Sequence, residues 1–179
     1  MGSISRRRGD GSRVADREPF DKSVWHFKCL SKSDNNPLRI KDERLRIETT
    51  SVDGDWAQYL GVCERYLRIW RRLTMRDGTP AGAEMFLDHK IAAVLANIDE
   101  SELRMVNIRP YLEETLGIAT RGATHNLKTV TLDQAIASEY DLNRAEDYFE
   151  IHAKAHSSTG QPVYFQRIYV STARCILEF

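Results

Sequence analysis

Apolar and polar positions along the chain change period several times, and each change marks an element. The run from Trp25 to Leu30 reads as a short strand, and Ser31–Pro37 (SKSDNNP) behind it is a turn cluster. Leu38–Thr50 alternates unevenly around Leu45 and Ile47, which predicts a strand with charged outward positions. Asp55–Leu60 predicts a short helix stopped by Gly61. From Tyr66 a period of two takes over. Leu67, Ile69, Leu73 and Met75 share one face, Arg68, Trp70, Arg72 and Thr74 the other, and Arg71 is the exception on the apolar side. Asp77-Gly78 is a hairpin turn signal. Met85–Ile98 shifts to helical spacing by its end, through Ile91, Val94, Leu95 and Ile98. Asn107–Leu116 predicts a helix closed by Gly117, with Pro110 in its first turn, where a missing N–H costs nothing. Ala123–Val130 reads as a strand and Leu132–Glu139 as a helix, and a second hairpin closes the chain with Phe179 inside its last strand.

The two hairpins are copies of one unit. Tyr66–Leu87 aligns with Tyr148–Tyr169 at constant offset, matching Tyr66 to Tyr148, Ile69 to Ile151, Arg72 to Lys154, Gly78 to Gly160 and Pro80 to Pro162. A short helical pattern precedes each copy, with Asp53, Trp56 and Ala57 echoed by Asp133, Ile136 and Ala137. A duplicated helix-plus-hairpin unit is best buried as one antiparallel sheet with helices packed against it. The expected fold class is α+β.

Composition narrows the options only slightly. The chain has 179 residues, enough for one ordinary domain, and 41% of them are hydrophobic, enough for a real core. Equal numbers of Lys+Arg and Asp+Glu argue against a domain held to nucleic acid by bulk charge alone. Cys29, Cys63 and Cys175 are odd in number and widely spaced, and the five histidines show no ligand spacing; neither a metal site nor a disulfide framework is expected, and no cofactor. No apolar run approaches a membrane span and no signal peptide is present, so the expected location is the cytoplasm.

The ordered set LGV, YLRIWRRLTMRDGTPAGAE, YLEETLGI and TGQPVYFQRIYVSTARCILEF, spanning residues 45–179, resembles the UTRA domain. That domain is the effector-binding half of GntR-type bacterial transcription regulators of the HutC subfamily. Ile4–Asp16 (ISRRRGDGSRVAD) resembles the wing of the family's winged helix-turn-helix, with Gly9 and Gly11 at the turn and Ser12 where threonine is usual. The three helices expected before the wing do not precede it here. The resemblance therefore implies a wing remnant at 1–16, a linker and leading strand at 17–37, and an effector-binding domain at 38–179. It also implies a homodimer and operator DNA as partner, with phosphate contacts from Arg6, Arg7 and Arg8 around Gly11.

The resemblance further nominates a pocket. In sugar-phosphate-binding members, two arginines on the first hairpin strand hold phosphate and a following glutamate holds the sugar. Arg72 stands at the first arginine and Glu84 at the glutamate, but Thr74 replaces the second arginine. At the head of the Leu-Glu helix, Asn107 and Arg109 replace a serine and a tyrosine, and Tyr164 replaces a late glutamate. These departures point away from sugar phosphate and toward another small anionic effector such as a carboxylate, which a guanidinium binds in bidentate fashion. The hairpin register is open: a two-residue turn sets Glu84 opposite Arg71, a three-residue loop sets it opposite Trp70, and only the second brings Arg72 and Glu84 to one face. A repressor-type sensor domain, not an enzyme, is the reading this favours. A chorismate-lyase-like enzyme, whose sheet and pocket the UTRA fold resembles, and a structural domain with an occluded pocket are the alternatives.

Overall fold

The two hairpins lie side by side. In the computed structural model, which describes residues 27–178, β1 (Lys28–Ser31) is followed by β2 (Ile40–Thr50), α1 (Asp55–Leu60), β3 (Tyr66–Met75) and β4 (Pro80–Asp88). Three short helices come next: α2 (His89–Ala92), which runs into a 3₁₀ segment at Ala93–Asn97, α3 (Glu100–Leu103) and α4 (Ile108–Leu116). The chain closes with β5 (Gly122–Thr131), α5 (Gln134–Tyr140), β6 (Asp147–His156), β7 (Pro162–Ser171) and β8 (Cys175–Glu178). β2-β3-β4-β7-β6-β5 is one six-stranded antiparallel sheet, and β1 and β8 form a separate two-stranded ribbon. The order reads the same from both edges, so the duplication is a pseudo-two-fold with β4 against β7 at its centre.

Local chemistry explains most boundaries. Asp88, Asp99, Asn107 and Asp133 each accept a backbone N–H of the helix they precede, removing an orphan donor. Both hairpins turn through a glycine at positive φ, Gly78 at 85° and Gly160 at 78°. The copies share their turn hydrogen bonds: Met75 N donates to Thr79 O as Ser157 N donates to Gln161 O. Tyr66 and Tyr148 play matching parts too, each accepting at its hydroxyl a backbone N–H from the loop before its own strand, Cys63 and Asn143 respectively.

The sheet is covered on both faces. Leu67, Ile69, Leu73 and Met75 are buried on one face, against the α2–α4 segment and, nearer the hairpin turn, against the β1–β8 ribbon. α1 and α5 cover the other: Trp56 stacks on Phe86 at 3.8 Å, and Tyr140 packs between Trp70 and Tyr169. Each fully buried large apolar side chain contributes roughly 1.5–3 kcal/mol, so both layers are integral to the fold.

Three expectations change. The helical spacing in 85–98 begins later than its apolar run, because β4 continues to Asp88 before that residue caps α2. The final strand is two strands. β7 ends at Ser171, where Thr172 turns back onto the Asp147 carbonyl through both its N–H and its hydroxyl, and β8 then pairs with β1. The repeat is also offset within itself. A register shift at Ala155/His156 moves the second hairpin by one residue relative to the first, so the counterpart of Glu84 is Arg167 and not Gln166. The wing residues Arg6, Arg7, Arg8 and Gly11 lie outside the described residues.

Candidate functional site

The hairpin register sets Glu84 opposite Trp70, the three-residue-loop alternative, and Arg72 and Glu84 do share a face. They do not pair. Arg72 reaches Asp141 at 3.4 Å, while Glu84 accepts from Arg68 Nε at 2.8 Å and Arg167 Nη1 at 2.9 Å. These belong to a row of alternating charge that crosses all six strands beneath α1 and α5. It runs from Glu48 to Arg68 (3.2 Å), Glu84 (2.7 Å), Arg167 (2.9 Å), Glu150 (3.7 Å) and Lys128 (3.1 Å). The pseudo-two-fold inverts the sign at every position: Glu48, Arg68 and Glu84 in one half meet Lys128, Glu150 and Arg167 in the other. Tyr140, Glu139 and Asp55 complete the arginines' coordination. Burial and these acids act in opposite senses on the two guanidiniums, and the acids win, leaving both with raised pKa. The charges of this row are committed to one another, and Trp56, Phe86, Tyr140 and Tyr169 wall it.

The opposite face is built differently. Beneath α4 lies a narrow cleft lined by Ile69, Arg71, Ala83, Glu84, Met85, Ile108, Arg109 and Gln166, Glu84 turning its carboxylate to the opposite face. It spans about 300 Å³ with its mouth included, but its enclosed interior of about 10 Å³ admits a single water. Arg71, the exception on the apolar side of β3, is fully buried there. Its Nη1 meets Glu43 Oε1 at 2.7 Å and its Nη2 donates to the Val106 carbonyl at 3.2 Å. Glu43 Oε2 accepts the Met105 N–H. Burial pushes the Glu43 carboxyl up, against the pull of Arg71 and the Met105 N–H. This ion pair thus bridges β2 and β3 and ties down the backbone that leads into α4.

Arg109, in the first turn of α4, is the other guanidinium of the cleft. Among the described residues it has no carboxylate partner, and its Nε is buried without a hydrogen bond. It lines a second, outer depression as well, with Asn107, Pro110, Glu113 and Thr120, where the Thr120 hydroxyl is also buried without a partner. Asn107 spends its Oδ1 on the Arg109 N–H as the cap of α4. Tyr164 is fully buried nearby in the core cluster of Ile108 and Leu112; burial raises its phenol, and the Arg109 charge opposes the shift.

The six nominated residues therefore divide. Arg72, Thr74 and Glu84 lie on the α1/α5 face, Thr74 exposed near the end of β3. Asn107, Arg109 and Tyr164 gather on the α4 face. The alternation of β3 forces this split, since Arg72 and Arg71 point to opposite sides. The residues that join Arg109 are Arg71 and Gln166. The signal for Arg71 was present as a lone charge within an apolar stripe; Gln166 carried none.

No family model matches the sequence, and no curated protein sequence does. Solved structures match over most of the chain. The ligand-binding domain of a GntR-family transcriptional regulator from Bordetella bronchiseptica superposes with a TM-score of 0.70 at 14% identity, over 86% of this chain and 95% of that one. The fold is that of a GntR-family ligand-binding domain. The C-terminal domain of the histidine utilization repressor from Pseudomonas syringae pv. tomato matches with a TM-score of 0.62 at 14% identity, over 86% of this chain and 96% of its own. The effector domain of PhnF from Mycobacterium smegmatis gives 0.60 at 16% identity, over 74% and 81%. A GntR-type ligand-binding fold accounts for the α+β class, the mainly antiparallel sheet and the flanking helices.

Proposed function

We propose that this chain is the effector-sensing part of a GntR-type transcription regulator of the HutC kind and that a small anion, a carboxylate first of all, binds beneath α4. The observation that carries the reading is Arg109: a guanidinium at the mouth of a cleft, without a carboxylate partner among the described residues and with a buried, unbonded Nε. Such a donor is unfavourable in the empty site and gains a charge-assisted bond when an anion arrives. Ile69, Met85 and Ile108 suit an effector with an apolar body. Asn107 and Tyr164 flank the guanidinium, whereas Arg72, Thr74 and Glu84 act from the far side of the sheet. The regulator is a cytoplasmic homodimer in this reading. The effector selects one arrangement of the paired domains and so resets the spacing of the DNA-binding heads on operator DNA, which Arg6, Arg7, Arg8 and Gly11 contact.

A thermal-shift screen of the full chain against carboxylates, amino acids, sugar phosphates and phosphonates tests this. A ligand at a hundred times its dissociation constant adds ~2.7 kcal/mol, a rise of roughly 5–10 °C for a domain of this size. Arg109→Ala should abolish the shift and Arg72→Ala should leave it. A shift that survives Arg109→Ala sinks the assignment.

A further inference from the structure

Beside the cleft beneath α4, the segment between α3 and α4 is tied to the sheet by a linked set of three contacts. Glu43 accepts the Met105 N–H, Arg71 donates to the Val106 carbonyl, and Glu43 and Arg71 are paired with each other. Met105 sits at φ 56°, in the left-handed region, where a side chain with a Cβ is strained and stays only while its surroundings hold it. Ile108 and Arg109, immediately after this segment, form the cleft's wall. Arg71 thus both holds this segment and lines the cleft.

We propose that the Glu43 carboxylate is a built-in competitor for the effector: it occupies, in the empty protein, the place on Arg71 that the effector's anionic group takes, and its displacement frees the Met105–Val106 segment. This rests on the anion-binding reading of the α4 cleft. The exchange is balanced in charge, since one carboxylate replaces another on the same guanidinium. Glu43, whose side chain is fully buried in the pair, also borders the open groove along the edge strand β2, lined by Arg44, Arg46 and Arg104 and by Asp42, Asp99 and Glu100. Release leaves Met105 without its acceptor, and the strained residue relaxes. A change in the α3–α4 segment is then the signal that effector binding emits, a switch between a tied and an untied state. The buried pair is suited to this, because its two charges stabilise each other only while both remain in place.

Glu43→Gln separates this from a merely structural ion pair. The amide keeps the shape and an acceptor for Met105 but leaves the Arg71 charge unneutralised. With benzoate as probe and calorimetry on the folded full chain, Glu43→Gln should bind at least about tenfold more tightly than the parent. In the parent, saturating benzoate should speed hydrogen exchange at the Met105 amide at least about tenfold. A folded Glu43→Gln protein with no gain in benzoate affinity overturns the proposal, as does a Met105 amide equally protected with bound benzoate. Should Glu43→Gln fail to fold, Glu43→Asp, which keeps the charge but shortens the reach, should show the same two changes in smaller measure, and their absence is equally fatal. Arg109→Ala in both backgrounds isolates the underlying reading: benzoate binding that ignores Arg109 refutes the site assignment, while a Glu43→Gln gain without Met105 release refutes only the switch.

Discussion

Glu84→Gln tests whether the charge row beneath α1 and α5 is a unit. Glu84 is 5% exposed and takes hydrogen bonds from Arg68 Nε at 2.8 Å and Arg167 Nη1 at 2.9 Å, with Arg68 Nη2 at 2.7 Å. Glutamine fills the same space but removes the one charge that both guanidiniums share, and turns either an N–H or a weaker carbonyl toward each. Breaking a buried pair from one side costs about 3–5 kcal/mol. Here the arginine side chains are 17% and 15% exposed and keep Glu48 and Glu139, or Asp55 and Glu150, as partners. Solvent and these residual carboxylates reduce the loss to about 2–3 kcal/mol. For a domain of this length that is a fall of roughly 4–12 °C in melting temperature. Urea unfolding followed by tryptophan fluorescence should show a lower midpoint with an unchanged slope, since the surface exposed on unfolding is the same. A companion variant sharpens the reasoning: Arg68→Met, Glu84→Leu and Arg167→Met together remove Glu84 with both guanidiniums it neutralises, leave Glu150 paired to Lys128 and the part-exposed Glu48, Glu139 and Asp55 to solvent, and should be less destabilised than Glu84→Gln alone. A Glu84→Gln protein within about 0.5 kcal/mol of the parent would refute the idea that Glu84 anchors the row.

Three further expectations concern other parts of the molecule. At Gly82 an added Cβ would come within 2.6 Å of the Tyr140 ring, which α5 lays directly on β4; Gly82→Ala should cost about 1–3 kcal/mol in denaturant unfolding, and a neutral result would mean that α5 shifts freely. Cys29 and Cys175 are buried in the β1–β8 ribbon and Cys63 is only partly buried, so Ellman's reagent should titrate Cys63 in the native protein and all three thiols after denaturation. Fast reaction of a second native thiol would show that the ribbon opens. Burial works to raise the Glu150 carboxyl, but His152 and Lys128 outweigh it and hold the group below its ordinary 4.5. A depressed carboxylate contributes stability that is full above its unfolded value and lost as pH falls through its folded one. Glu150→Gln should therefore destabilise at about pH 7 and lose that effect as the pH falls through the depressed folded-state value, and a cost independent of pH would contradict the assignment.

Features carried by neighbouring residues were legible in the sequence. The duplicated hairpins, the turn glycines at 78 and 160 and the αL stop at Gly117 all rest on contacts within a few positions, so composition and spacing report them directly. Arg71 was visible for the same reason, as a charge that breaks a period of two. Tertiary packing decided the rest. Alternation tells which residues share a side of a strand but not which helices cover that side, so Arg72 and Glu84 parted from Asn107, Arg109 and Tyr164 only when α4 docked opposite α1 and α5. A single extra residue on β7, Val163 opposite the Ala155/His156 step, exchanged Gln166 for Arg167 as the counterpart of Glu84, because a one-residue slip turns every following side chain to the other face. The pairing of β1 with β8 joins the two ends of the described chain. Such a contact is selected by the core it buries, and no local pattern records it.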